Sequence, residues 1–169
     1  MGDKPVLVLV GPPAAGKSRL AKRVAKLLDV PLVDTDQVVV AAHGPIRDIF
    51  AQQGEAYFRT LERFAVIAAL QTTGVVALGG GAVIDPDTRS DLASQRVALV
   101  TMGPEAAKSR ISGDKRPLLK DGYLSWATLL ETRRPWYEEV AQVSFDTSTK
   151  SLDTLAMEMV QWLKESDNV

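Results

Sequence analysis

The segment Gly11-Pro12-Pro13-Ala14-Ala15-Gly16-Lys17-Ser18 follows directly on the apolar run at residues 6–10, and no other feature constrains the chain as much. Its spacing is that of a phosphate-binding loop. Gly11 and Gly16 let the backbone fold tightly enough for successive N–H groups to face phosphate oxygens, Lys17 can reach the β- and γ-phosphates, and the Ser18 hydroxyl can ligate Mg²⁺. A helix starting near Ser18 would add its positive end to the attraction. The plainer alternative is a glycine-rich turn that happens to carry a lysine. The order strand, loop, helix argues for the nucleoside triphosphate site.

A chain of 169 residues suggests one domain, residues 1–169, long enough to bury about two-thirds of its unfolded surface. Twenty basic residues stand against 21 acidic ones, so the net charge of −1 calls for neither a nucleic-acid nor a membrane partner. There is no cysteine, which excludes disulfides and thiolate metal sites and fits a reducing compartment. The first strand begins within a few residues of Met1, position 6 is Val rather than the Ser or Thr of a myristoylation signal, and no apolar run approaches 18 residues. A cytoplasmic protein acting as a monomer is expected.

Short β-type runs alternate with longer helical ones. After the first strand, Leu20, Val24, Leu27 and Leu28 form a helical face. A second strand at 31–33 ends in Asp34-Thr35-Asp36, residues 45–71 read as helical with a break at Gly54, and a buried strand at 75–78 stops at Gly79-Gly80-Gly81. Strands are expected at 97–101 and 143–145, with helices near 105–111, 125–140 and 152–163. Residues 112–123 carry Gly, Asp, Lys, Arg and Pro without a period and read as a mobile surface loop. The expectation is an α/β fold: a five-stranded parallel sheet flanked by helices, its first two strands side by side.

Three polar signals fall at the carboxyl ends of strands, where such sheets bind ligands: the phosphate loop, Asp34-x-Asp36 and the three glycines. The two aspartates could divide their labour, Asp34 towards Mg²⁺ and Asp36 towards a substrate hydroxyl. They equally suit a helix cap. The glycines lack the spacing of a dinucleotide fingerprint and could be a simple turn. Arg59 stands three residues before Glu62, as in an ordinary helical ion pair, and Arg116 would ordinarily be a solvated surface charge. Arg133 and Arg134 could stack on the rings of Trp136 and Tyr137. His43, the only histidine, has no partner at ligand spacing, and Trp126, Trp136 and Trp162 read as packing residues.

Taken together, these segments resemble shikimate kinase, a small phosphate-loop family related to the nucleoside monophosphate kinases. The resemblance runs from the loop through Asp34-Thr35-Asp36, residues 44–50, Gly54-Glu55-Ala56-Tyr57-Phe58-Arg59 with Glu62, Leu78-Gly79-Gly80-Gly81-Ala82-Val83, Arg116-Pro117-Leu118-Leu119 and Arg133-x-Pro135-x-Tyr137. It implies phosphoryl transfer from ATP to the 3-hydroxyl of shikimate, yielding ADP and shikimate 3-phosphate, with Mg²⁺ as cofactor. On that resemblance Gly11, Ala14, Ala15, Gly16, Lys17, Ser18 and Arg19 would hold ATP, with Arg110 and Ser148 near the base and Ser18 and Asp34 on the metal. Asp36, Arg59, Gly79, Gly80, Gly81 and Arg133 would hold shikimate, in a helical segment at about residues 36–62 and around the glycine loop. Arg116 would close from a lid at 112–123, completing a catalytic set with Lys17 and Asp36.

Two positions depart from the family pattern. Ala14 and Ala15 stand where a glycine is common, and Gln37-Val38-Val39-Val40 replaces a stretch that often carries an acidic residue. The competing readings are a small kinase for gluconate or a nucleoside monophosphate, and a non-catalytic ATP-sensing module. The combination of Lys17, Asp34, Asp36 and Arg116 argues against a mere binder, which needs neither a general base nor a lid arginine.

Overall fold

The computed structural model describes residues 3–111 and 122–168. Arg116 and most of the expected lid lie outside the described residues. Five strands build one parallel sheet: β1 (Leu7–Val10), β2 (Leu32–Asp34), β3 (Val75–Ala77), β4 (Val97–Thr101) and β5 (Val143–Asp146), in the order β2-β3-β1-β4-β5. β1 has almost no exposed surface, as expected of an apolar run covered by helices on both faces.

The expectation that β1 and β2 are neighbours is corrected: β3 lies between them. Ala77 of β3 pairs with Leu9 on one side and Asp34 on the other. The carboxyl ends of β1, β3 and β2 therefore stand side by side, and Asp34 still reaches the phosphate loop.

Eight α-helices are described: α1 (Lys17–Leu28), α2 (Thr35–His43), α3 (Ile46–Gln53), α4 (Glu55–Ala69), α5 (Pro86–Leu92), α6 (Pro104–Arg110), α7 (Tyr123–Val140) and α8 (Leu152–Asp167). A 3-10 turn at Ala82–Ile84 follows the glycine loop. The face of α1 that meets the sheet is Leu20, Ala21, Val24 and Ala25, whereas Leu27 is 55% exposed near the end of the helix. The break at Gly54 falls between α3 and α4, and the buried stripe of α4 is Phe58, Glu62, Ala65, Val66 and Ala69, with Ala68 left exposed. α2, α3 and α4 enclose a small apolar cluster of Val39, Ile49, Phe58 and Ala65 beside the main core. No helix among the described residues is long and apolar enough to cross a membrane.

α5 was not anticipated, and α2 fills the start of the helical segment expected at about residues 36–62. α2 carries β-branched Val38, Val39 and Val40, which weaken helix propensity, but its start is fixed by Asp34, whose side chain accepts from the Gln37 N–H at 3.2 Å. α5 opens on Asp85-Pro86: Asp85 accepts from the N–H groups of Asp87 and Thr88 at 2.8 and 3.4 Å, and Pro86 takes the first turn, where its missing N–H is harmless. The cap is remote from the cleft described below. Asp85→Ala is expected to lower folding stability by about 0.5–2 kcal/mol in a urea titration. Ligand affinities of the folded protein should be unchanged, and an unaltered midpoint would show that α5 is held by packing alone.

Candidate active site

At the carboxyl edge of the sheet the phosphate loop, β2, the glycine loop, α3, α4 and α7 surround a cleft of about 1170 Å³. Its nucleotide end is the loop itself. Gly16, with φ 97°, precedes α1, and Ala14 is held at φ 67°, a left-handed conformation that costs a non-glycine residue about 1–2 kcal/mol. Lys17 is buried, and its Nζ donates to the carbonyls of Gly11 and Pro12 at 2.7 and 2.9 Å. Two distant side chains also reach the loop. Trp126 Nε1 donates to the Pro13 carbonyl at 2.8 Å and Thr147 Oγ1 to that of Ala15 at 2.6 Å.

Ser18 and Asp34 meet at the edge of this loop, the Ser18 hydroxyl donating to Asp34 Oδ2. Asp34 thus caps α2, as one reading expected, while its other carboxylate oxygen faces the loop. A hydroxyl and a carboxylate open to the cleft are hard oxygen donors of the kind Mg²⁺ takes. Among the described residues no group of three or more His, Cys, Asp or Glu side chains is placed to cage a metal. That donor set fits Mg²⁺, which keeps its waters and is shared with phosphate oxygens, better than a metal held by protein alone.

At the other end lie Asp36, Arg59, Glu62 and Arg133. The ion pair expected from spacing is present: Arg59 donates to Glu62 at 2.6 Å and to Glu55 at 3.2 Å. It does not remove Arg59 from the cleft, because Glu62 is buried beneath it while the guanidinium lines the wall. Arg59 Nε is a buried donor without a partner among the described residues. Arg133 is 3% exposed and hydrogen-bonds the Tyr137 hydroxyl, which in turn donates to the Gly80 carbonyl at 2.6 Å. The aromatic stacking expected of Arg133 and Arg134 is corrected. Arg134 pairs with Glu131 at 2.7 Å, and the guanidinium over Trp136 is that of Arg89, 5.1 Å from the ring centre.

The glycine loop is shaped by these side chains. A Cβ on Gly79 would sit 2.7 Å from Glu62 Oε2 and against Asp36 Oδ1, and one on Gly81 would overlap the Arg59 guanidinium. Only glycine lets this backbone approach the charged groups so closely. Gly80 and Gly81 line the cleft, while Gly79 lies behind it and donates its N–H to Thr35 Oγ1 at 3.0 Å. Arg19 lines the nucleotide end. Arg110 does too, donating to the Thr147 hydroxyl and carbonyl at 2.8 and 2.6 Å. The Ser148 hydroxyl instead accepts from the Gly103 N–H at 2.7 Å, outside the cleft lining.

Burial raises the Asp36 pKa, aided by neighbouring Asp34 and opposed by Lys17 and Arg59. Burial likewise raises that of Glu62 against the pull of Arg59. The Tyr137 hydroxyl is pushed up to about 12, chiefly by burial, and so stays a neutral donor at any working pH. Sequence reasoning did not foresee Trp126 and Thr147 at the loop, or Tyr137 as the link between Arg133 and Gly80. Tyr137 at least belongs to a motif, whereas nothing local distinguishes Trp126 from a packing tryptophan.

A strand leading into a phosphate loop, an adjoining hydroxyl–carboxylate pair, and a second pocket bearing a carboxylate and two guanidinium groups together define a phosphate-loop phosphotransferase. A family model for shikimate kinase matches residues 13–164. The shikimate kinase of Salinispora tropica is 44% identical over 163 residues, covering 94% of this chain and 98% of that one. That of Corynebacterium efficiens is 38% identical over 166 residues, covering 96% and 98%. A solved shikimate kinase from Acinetobacter baumannii, in complex with shikimate, superposes with a TM-score of 0.90 at 29% identity, covering 97% of this chain and 94% of that one. The chain belongs to the shikimate kinase family.

The upward shifts of Asp36 and Glu62 mean that the folded protein favours their protonated forms. For Asp36, that contribution is fully present below the ordinary value of 3.8 and is lost as pH rises through the raised folded value. Asp36→Asn, which cannot ionise, is therefore expected to melt at a higher temperature than the parent near pH 7 without ligands. The gap should close as pH falls towards 3.8. Calorimetry over that range checks it, and a variant less stable than the parent at neutral pH would show that the attraction of Lys17 and Arg59 outweighs burial.

Proposed function

We infer that the protein is a shikimate kinase, transferring the γ-phosphoryl group of ATP to the 3-hydroxyl of shikimate in the pathway to aromatic amino acids. The observation that carries this reading is the pairing, in one cleft, of the phosphate loop with Asp36, Arg59 and Arg133. Shikimate is a monocarboxylate with three hydroxyls, so its site needs guanidinium groups for the carboxylate and an acceptor for a hydroxyl. Family membership supports the same assignment.

The loop N–H groups and Lys17 bind the phosphates of ATP, and Arg110 faces the base. Arg59 and Arg133 hold the substrate carboxylate. Glu62 and Tyr137 fix the rotamers of the two arginines. Asp36 accepts the hydrogen bond of the reacting hydroxyl and aligns it with the γ-phosphorus. Phosphoryl transfer has a loose transition state, so this alignment matters more than early proton removal, and the proton passes to Asp36 as the new O–P bond forms. Ser18 directly, and Asp34 through water, would hold Mg²⁺, which when bound would supply positive charge to offset that of the phosphates. Arg116, at the start of the Arg-Pro-Leu-Leu segment, supplies a further cation to the phosphates. Residues 36–62 serve as the substrate-binding segment and 112–123 as the lid of a single domain.

The acceptor is tested by ADP release with shikimate, gluconate, CMP and AMP in parallel, which should be rapid with shikimate alone. Arg59→Ala and Arg133→Ala are each expected to weaken shikimate binding by about 1.5–3 kcal/mol while ATP affinity stays nearly constant. Lys17→Met is expected to lower kcat by at least about 10²-fold. Turnover with another acceptor, or unchanged shikimate affinity in both arginine variants, would contradict the assignment.

A further inference from the structure

The carbonyls of the phosphate loop are occupied in an ordered way. Those of Gly11 and Pro12 accept from Lys17 Nζ, and that of Gly16 accepts from the Leu20 N–H within the first turn of α1. The remaining two contacts come from far away in the sequence. Pro13 accepts from the indole of Trp126 on α7, and Ala15 accepts from the hydroxyl of Thr147 just beyond β5. Both donors are nearly inaccessible, Trp126 at 2% and Thr147 at 3% exposure.

A trans peptide unit points its C=O and the following N–H in opposite directions, and no cis bond occurs among the described residues. Tying the Pro13 carbonyl to Trp126 therefore turns the Ala14 N–H away from α7. Tying the Ala15 carbonyl to Thr147 likewise turns the Gly16 N–H away from Thr147. Ala14 and Gly16 both line the cleft. Between the two tied carbonyls stands Ala14 at φ 67°, a conformation that persists only where its surroundings over-determine it. The Thr147 hydroxyl has one hydrogen. The Ala15 carbonyl at 2.6 Å receives it in preference to the Thr101 carbonyl at 3.3 Å, and Arg110 donates to the same oxygen at 2.8 Å. A cation donating to a hydroxyl polarises it and strengthens the bond it makes onward.

We propose that Trp126 and Thr147 are positioning residues for nucleotide binding: each ties one carbonyl of the phosphate loop so that the next N–H, of Ala14 or Gly16, stays aimed at the bound phosphates. The proposal rests on the reading of this loop as the ATP phosphate site. It assigns the two residues to the grip on phosphate rather than to the base or the acceptor.

Titration calorimetry with ATP, inorganic tripolyphosphate and shikimate, each with Mg²⁺, separates these roles. Thr147→Val and Trp126→Phe are each expected to weaken ATP and tripolyphosphate alike by about threefold to tenfold, the loss of one hydrogen bond. Shikimate affinity should stay within about twofold. Thr147→Ser, which restores the hydroxyl, should recover parental values, and steady-state kinetics should place the defect in KM for ATP more than in kcat. Unchanged affinity for both phosphate ligands overturns the proposal. So does weakening of ATP with tripolyphosphate unaffected, which would make Thr147 a base contact, or an equal loss for shikimate, which would mean general loosening. If Trp126→Phe fails to fold, the Thr147 pair decides alone. A parent protein that binds neither ATP nor tripolyphosphate would instead overturn the nucleotide reading itself.

Discussion

Ala77 pairs with Leu9 on one side and with Asp34 on the other, and this register sets the position of everything chemical in the molecule. With β3 inserted between β1 and β2, three strand ends emerge in a row: the phosphate loop, the glycine loop and the aspartate pair. Parallel strands all present their carboxyl ends at one edge, which is why groups distant in sequence meet there without a long excursion of backbone. Slipping β3 by one residue would turn its side chains to the other face and withdraw Asp34 from Ser18.

The second pocket is built from charges that water would otherwise hold. Glu62 is buried and Asp36 largely so, and burial opposes the ionisation of both. Arg59 and Arg133 compensate, and the guanidinium groups are fixed by Glu62, Glu55 and Tyr137. The glycines complete the arrangement by leaving no Cβ between backbone and charge. The result is a preorganised but internally opposed cluster, of the sort that sites of catalysis tolerate at some expense of stability. A carboxylate that the fold holds reluctantly is a better acceptor for a substrate hydroxyl than one already satisfied by solvent.

Much of this was legible in the chain. The phosphate loop, the three glycines, the five strands and the break at Gly54 are local signals, written in glycine placement and in the period of apolar residues. The α5 cap at Asp85-Pro86 was equally legible and was overlooked, whereas α2 runs against the propensity of its valines and is decided by the Asp34 cap and by packing on α4. Strand order was out of reach, because the insertion of β3 between β1 and β2 is a choice among topologies that no local pattern encodes. The outer ties of the loop were out of reach for a related reason: Trp126 and Thr147 lie 113 and 132 residues from the carbonyls they hold. Arg59 offered two readings, a helical ion-pair partner and, on the family resemblance, a substrate contact; the ion pair is present, and the buried position of Glu62 leaves the guanidinium at the cleft wall.

The proposed reaction depends on Asp36 to orient the acceptor hydroxyl beside the phosphate loop. The most direct test is single-turnover phosphorylation of shikimate by Asp36→Asn, which keeps the shape of the side chain and loses its charge. The predicted rate is about 10²–10⁴-fold below the parent with ATP binding intact. A rate within a few-fold of the parent would contradict the account and leave Asp36 a residue of the α2 helix start alone.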